Sequence, residues 1–442
     1  MRKKIFLTLA IIIVFSVSMA LAAELTLQEC IGLAAENNPQ VAVARENVNV
    51  AAAQAGQATS LALPSLSVSA SLGKSYSQPM TITLPAQFGG GTISTAPDEA
   101  GDIYAYTFSV SQNIFLSGKM LQSITAGRAS YDIAQQNLVK AQNDMVYNVT
   151  VAYYNVLKAR KTVELVNESL LSLKQHSRQA EIFNKAGIAS MAELLRAQSA
   201  VANMEVNRIQ SVGGYKIAHL ALDTAIGQEL SFDDSVAEMR LDTFDPAPQI
   251  SGDAVNLAFE NRPEWLAFEL GVKIARDSIK YSYGGFLPSF MLDYSFGHSK
   301  SDYQEAATHY DLGNWRSMLV GSWNIFDGFA TPDRIHEAYS QLNAALAQEQ
   351  SLQDAITLDV NSAVISFKTA VEKLAATVVA EELSKKALAY AENAYKSHTG
   401  TNIAYLDAMT VYQQAEMNLW SARYDIEIAK ARINQTVGEK IF

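Results

Sequence analysis

The chain has a single cysteine, Cys30, so no internal disulfide can form and oxidising surroundings add nothing to its stability. Beyond residue 22 no apolar run approaches the roughly 20 residues that a membrane-crossing helix needs. The histidines, His176, His219, His298, His309, His336 and His398, are scattered, with no two at metal-ligand spacing on one helix. No Gly-x-Ser-x-Gly elbow, Walker loop or dinucleotide fingerprint is present. Gly89-Gly90-Gly91 lacks the Lys-Ser/Thr of a phosphate loop and reads as plain loop. The sequence therefore offers no catalytic residue, no metal site and no cofactor site. Positive charge is also scarce: the formal net charge is −11, and the first 22 residues hold three of the basic side chains. That balance argues against nucleic acid or anionic headgroups as partners and for a solvated, cation-attracting surface.

Arg2, Lys3 and Lys4, the apolar run Ile5 to Met19 and Ala20-Leu21-Ala22 read as a secretory signal peptide over residues 1–22. A lipid anchor would need a cysteine directly after the cleavage site, and Cys30 is too far on. The expected mature chain is thus exported and has no helical membrane span.

Glycine and proline are absent from Asp333 to Thr399 and from Arg128 to Ala186. At ~1.5 Å per residue the first of these is a rod of about 100 Å. Apolar residues recur along it by sevens, Ile335, Leu342, Ile356 and Ala363 on one line and Tyr339, Leu346, Val360, Phe367 and Leu374 on the next. Such a repeat keeps one seam facing a partner helix, so the rod belongs in a coiled coil.

The chain is one unit written twice. Leu33 to Pro39 matches Leu257 to Pro263, and Leu63-Pro64 matches Leu287-Pro288, both at an offset of 224 residues. Asn113-Ile114-Phe115 against Asn324-Ile325-Phe326, Ala197 against Ala408, and Ile226-Gly227 against Val437-Gly438 hold an offset of 211. One length change of 13 residues between Pro64 and Asn113 reconciles these anchors. The expected organisation is a first repeat over 24–228, an inter-repeat segment over 229–250 and a second repeat over 251–442. Each copy reads as a short helix (26–37, 251–261), a second helix (40–62, 264–286), two strands, a long helix (118–185, 329–398) and a return helix (190–227, 402–438).

The strands are expected over 65–77, 102–115, 289–298 and 313–326. Leu66 to Leu72 alternates apolar residues with serine without a break, as a strand with one greasy and one wet face requires. Tyr104, Tyr106, Phe108 and Val110 alternate with Ala105, Thr107, Ser109 and Ser111, and Phe290, Leu292, Tyr294 and Phe296 alternate with Ser289, Met291, Asp293 and Ser295. The fourth strand is less regular, since Met318, Leu319 and Val320 are consecutive. Between them, Gln78 to Gly101 and Gly297 to Asp311 read as loops. Tyr76, Tyr104, Tyr294, Trp315 and Trp323 read as aromatics of a membrane interface.

Greasy-out, wet-in strands are the pattern of an outer-membrane barrel, and four cannot close one. An open sheet in lipid leaves its edge groups unpaired, so chains must share the barrel. Two chains would give eight strands and a filled interior; three would give twelve and a water-filled lumen. Ala344, Ala345, Ala347, Ala375 and Ala376 leave room for neighbouring helices. A secreted coiled-coil scaffold with a small soluble β-domain fits the same elements, and would neither enter membranes nor conduct ions.

Taken in order, Leu33 to Pro39 with its repeat, the two Leu-Pro pairs, Asn324-Ile325-Phe326-Asp327-Gly328, Gly187 to Gln198 and Tyr405-Leu406-Asp407-Ala408 resemble the TolC-like outer-membrane efflux family over the whole mature chain. The resemblance implies a mainly helical fold with an α-barrel in the periplasm, and a homotrimer whose four strands per chain form one 12-stranded barrel in outer-membrane lipid. It implies a passive exit duct for efflux or type I secretion, engaged by a periplasmic adaptor (a membrane fusion protein) and, through it, an inner-membrane pump that sets the cargo. The family's constriction acid falls on Asp407, and a second family Asp falls on Ala404. A Tyr that hydrogen-bonds an acidic neighbour falls on Tyr395, its partner on Glu193, and the Arg supporting them on Gly400. The adaptor-contacting turn falls on Lys185-Ala186-Gly187-Ile188 and, in the second copy, on His398-Thr399-Gly400, with the glycine displaced by two positions.

Overall fold

A computed structural model describes residues 25–76, 78–79, 81–94, 100–230, 254–303 and 308–441. The expected signal peptide and nearly all of the inter-repeat segment lie outside the described residues. The elements are α1 (Leu27–Asn37), α2 (Pro39–Ser60), β1 (Ser65–Ser75), β2 (Thr81–Leu84), β3 (Gly91–Ser94), β4 (Gly101–Leu116), α3 (Lys119–Lys185) and α4 (Met191–Ile226). The second copy supplies α5 (Ala254–Asn261), α6 (Pro263–Ser282), β5 (Ser289–Tyr303), β6 (Thr308–Ser322), α7 (Ala330–Lys396) and α8 (Asn402–Val437). The fold is mainly helical, and α3 and α7 are each 67 residues long. Among the described residues no helix is long and apolar enough to cross a membrane.

The chain divides into two compact units. One holds residues 43–141 and 255–359, the other 142–254 and 360–442 together with the chain's start. The first contains the sheet, ordered β1-β4-β5-β6 and antiparallel throughout. Its register aligns Val68, Phe108, Phe296 and Trp315 in one row and Leu66, Val110, Tyr294 and Ser317 in another. The rows between them are Ser67, Ser109, Ser295 and Arg316, and Ser69, Thr107, Gly297 and Asn314. Side chains alternate across a strand, so one face is Leu-, Val- and aromatic-rich and the other is Ser-, Thr- and Asn-rich. On the polar face Ser111 donates to Asp293 at 3.0 Å, and Arg316 pairs with Asp293 at 3.4 Å. Among the described residues the outer strands β1 and β6 each leave one edge without a partner strand.

The structure departs from three expectations. The hairpin β5–β6 extends five residues further than expected at its turn end, replacing most of the loop over 297–311. Alternation stops there, but ladder hydrogen bonds, which need no side-chain pattern, continue from His298–Gly313 to Tyr303–Thr308. In addition, β6 ends at Ser322 rather than at Phe326; Trp323 donates its Nε1 to the Phe286 carbonyl at 3.0 Å and takes the chain out of the ladder. The loop beginning at Gln78 is not plain either, because β2 and β3 pair within it. Gly89, Gly90 and Gly91, with φ of 97°, 61° and 125°, supply the left-handed backbone that lets this small hairpin turn.

In the second unit α1 opens with a capping box, in which Thr26 accepts from the Glu29 N–H and the Glu29 carboxylate accepts from the Thr26 N–H. Val149, Tyr153 and Val156 of α3 and Leu222 and Ile226 of α4 are buried, as are Tyr424 and Ile433 of α8. Asp425 of α8 lies between Lys158 of α3 at 3.2 Å and Lys373 of α7 at 2.9 Å. Along α7, which runs through both units, Ile356, Val360, Ala363 and Phe367 of the expected seven-residue repeat are buried. Tyr339 and Leu346, placed on the same seam from sequence, are exposed in the single chain.

Candidate functional site

The two long helices end at turns built by different means. After α3, Gly187 adopts φ 73°, and the Ile188 and Ala189 N–H groups both reach back to the Phe183 carbonyl, at 2.9 and 3.2 Å. After α7 the left-handed position is taken by His398, φ 59°, which is the counterpart of Gly187 at the 211-residue offset. Its ring packs on Phe183, with centroids 4.6 Å apart, which repays a conformation that a non-glycine residue rarely adopts. Gly400 is needed for another reason: a Cβ there would lie 2.8 Å from the Ala394 Cβ and 3.0 Å from its carbonyl carbon. The chain passes too close to the end of α7 for an arginine at this position. Among the described residues Lys185 pairs within its own helix, with Glu181 at 2.7 Å, and Ile188 is exposed.

Asp407 stands exposed on α8 with no hydrogen-bond or ion-pair partner among the described residues. Glu193 and Tyr395 are not bonded to each other. The Glu193 carboxylate accepts from the Ser190 N–H at 3.1 Å in a capping box that starts α4. The Tyr395 side chain is 7% exposed, and its hydroxyl has no hydrogen-bond partner. Burial, with the Glu193 charge, pushes this phenol above its usual range.

A contact the motifs did not single out lies beside them. His176 of α3 is buried, stacked on Tyr405 at 4.1 Å between ring centroids, with Tyr395 at 4.7 Å. Its Nε2 is 2.7 Å from the Asn402 Oδ1, and the Asn402 Nδ2 donates to the Glu193 carbonyl at 2.8 Å. The signal was a polar residue in a seam otherwise made of Leu170, Leu173 and Ala180. A cavity of about 300 Å3 adjoins this cluster, lined by His176, Tyr395, Tyr405, Glu168, Glu392 and Glu416. Burial, followed by the Glu168 charge, pushes the Glu416 carboxyl above its usual range. Among the described residues no group of His, Cys, Asp and Glu could hold a metal ion.

Burial holds the His176 imidazole below its ordinary value, against the opposing pull of Asn402 and Glu392. The folded state therefore favours the neutral ring. The stability this contributes is present above the ordinary value of about 6.5 and is lost as pH falls through the lower folded value. The thermal unfolding midpoint of the wild type is expected to drop more steeply below about pH 6.5 than that of His176→Gln.

Of the aromatics expected at a membrane interface, Tyr104 lies near the start of β4, Tyr76 just beyond β1 and Trp323 just beyond β6. Tyr294 falls inside β5, as its expected strand already placed it, and Trp315 falls well inside β6 because that strand starts five residues earlier than expected.

A model of the family described as outer membrane efflux protein matches residues 30–228 and 254–439, one segment in each repeat. The chain belongs to the outer membrane efflux protein family. It is an outer-membrane efflux channel rather than an enzyme, and a soluble scaffold is thereby set aside. The efflux channel is 21% identical to outer membrane protein TolC of Vibrio cholerae over 359 residues, covering 81% of each chain. It is 23% identical to outer membrane protein TolC of Escherichia coli over 343 residues, covering 75% of this chain and 69% of that one. The fold superposes on the crystal structure of CusC with a TM-score of 0.81 at 15% identity, covering 94% of this chain and 93% of CusC. The Neisseria gonorrhoeae MtrE outer membrane channel, solved in its open state, gives 0.76 at 21% identity over 94% and 89%.

Proposed function

We propose that three copies of this chain share one twelve-stranded barrel and form a passive exit duct, docked through its helical turns to a periplasmic adaptor and, through that adaptor, to an inner-membrane pump. The observation that carries the reading is the four-stranded sheet: one apolar face, one polar face and two unpaired edges. In lipid those edges cost several kcal/mol per unpaired group unless sister strands cover them. Eight strands enclose an interior just filled by side chains, whereas twelve leave a lumen for water and cargo. Leu358, Ile365, Val379 and Leu383 on α7, with Val206, Ile209, Ile217 and Leu220 on α4, are apolar and exposed in the single chain, surfaces that neighbouring copies would cover. At the turns, exposed Ile182, Ile188, Met191 and Leu195 give the first hairpin an apolar end suited to an adaptor. Ser397, His398 and Thr399 make the second hairpin's end polar.

In this reading Asp407 contributes three carboxylates to a ring at the constriction, where like charges close together attract cations. With Ala404 in place of a second acid, one ring carries the selectivity. The test is detergent extraction followed by mass measurement and reconstitution in a planar bilayer. A conducting species of three chains is the expected result; a non-conducting monomer would end the proposal. Asp407→Asn is expected to lower cation selectivity, read as a reversal-potential shift toward zero in a salt gradient, with the trimer yield unchanged.

A further inference from the structure

Asn402 is the first residue of α8 and is 1% exposed, yet its side chain makes two bonds to residues far off in sequence. Its Nδ2 donates to the Glu193 carbonyl, and that bond turns its Oδ1 toward the His176 Nε2. An acceptor there requires a donor opposite, so the imidazole carries its proton on Nε2. One amide thus ties α8 to α3 and to α4, while Tyr395 and Tyr405 hold the imidazole ring in place. The duplication makes the arrangement one-sided. At the 211-residue offset His176 corresponds to Ala387 and Asn402 to Met191, both exposed and neither able to form such a bond.

We propose that His176 and Asn402 form a clasp that positions the start of α8, and with it Asp407, against the α3–α4 hairpin. The inference rests on the reading of these turns as the channel's constriction. Asp407 follows Asn402 by five residues on the same continuous helix, so a shift of the clasp carries the acid with it. The Glu193 carboxylate is occupied at Ser190, and Gly400 has no side chain to offer. The clasp is therefore a polar tie between the two hairpins at this level, and His176 and Asn402 are positioning residues. The charged and titratable groups around the ring are Glu168 of α3, Glu193 of α4, Tyr395, Glu392 and Lys396 of α7, and Tyr405, Tyr412 and Glu416 of α8. Because Nε2–H donates in both charge states, acid leaves the bond in place and adds a buried charge to it.

Single-channel conductance of the reconstituted full-length protein tests the clasp. His176→Ala and Asn402→Ala each leave a buried polar partner unpaired. Both are expected to raise conductance at least about twofold at neutral pH, by shifting the constriction toward wider states. His176→Gln keeps a side-chain N–H for Asn402 and should stay close to wild type. Asn402→Asp keeps the acceptor for His176 but loses the donor to Glu193, and should fall between. Trimer yield, measured in parallel, separates misfolding from repositioning. Wild-type conductance in both alanine variants would overturn the clasp, as would a glutamine variant that behaves like alanine. Those outcomes are distinct from failure of the channel reading, in which the wild type itself would not conduct.

Discussion

Phe108→Arg is expected to abolish the assembled channel, while Ser109→Arg, one residue along, leaves it largely intact. The two positions are adjacent in the middle of β4 and point to opposite faces. Phe108 sits in the row with Val68, Phe296 and Trp315, and Ser109 in the row with Ser67, Ser295 and Arg316. If the apolar face meets lipid, an arginine there costs about 2–4 kcal/mol near the bilayer midplane. The proposed trimer would carry it three times, for roughly 6–12 kcal/mol per assembly, comparable with the whole stability of an ordinary domain. On the other face the same arginine enters water beside a surface that already holds Arg316 and Asp293. The measurement is the yield of trimer extracted from membranes, followed by conductance. Equal tolerance of both variants would show that neither face meets lipid, and the reverse order would turn the barrel inside out.

Gly284→Ala should be the most damaging conservative change in the unit that holds the sheet. A Cβ at Gly284 would overlap the Ser117 carbonyl oxygen and stand 2.8 Å from its carbon. The obstacle is backbone, so no rotamer change relieves it. Ser117 is itself pinned in the left-handed region at φ 52°, with its hydroxyl donating to the Leu287 carbonyl at 2.8 Å. The corner that leads from β4 into α3 is thus keyed into the turn that precedes β5, and one copy of the repeat braces the other. Overpacking of this kind costs about 1–3 kcal/mol and more where backbone must move, so a lowered thermal midpoint and reduced trimer yield are expected. Gly271, inside α6 with no atom within 4 Å of where a Cβ would lie, is the control. Gly271→Ala should stabilise by about 0.5–1 kcal/mol, because alanine loses less backbone freedom on entering a helix. If both alanines behaved alike, the close approach at Ser117 would not exist.

Much of the architecture was legible without coordinates because it is written in local, repeating patterns. Alternation of Leu66 to Leu72 with serine marks a two-faced strand, since side chains point to opposite sides with period two. The runs without glycine or proline mark α3 and α7, and the sevenfold recurrence marks the seam from Ile356 to Phe367. The duplication was visible because five short anchors stand in order.

The rest depended on which distant groups meet, and no local pattern records that. Glu193 was read as a partner for Tyr395; in the fold its carboxylate closes the cap at Ser190, and its carbonyl receives Asn402 from 209 residues away. His176 looked like one of six scattered histidines until α8 placed an amide at its Nε2, 226 residues further along. Sequence alone determined the periods, the lengths and the twofold repetition, because these follow from backbone geometry and from which side chains water rejects. Tertiary structure alone decided where the buried hydrogen-bonding groups find their partners, because a donor out of reach of water must take whichever acceptor the packing brings to it.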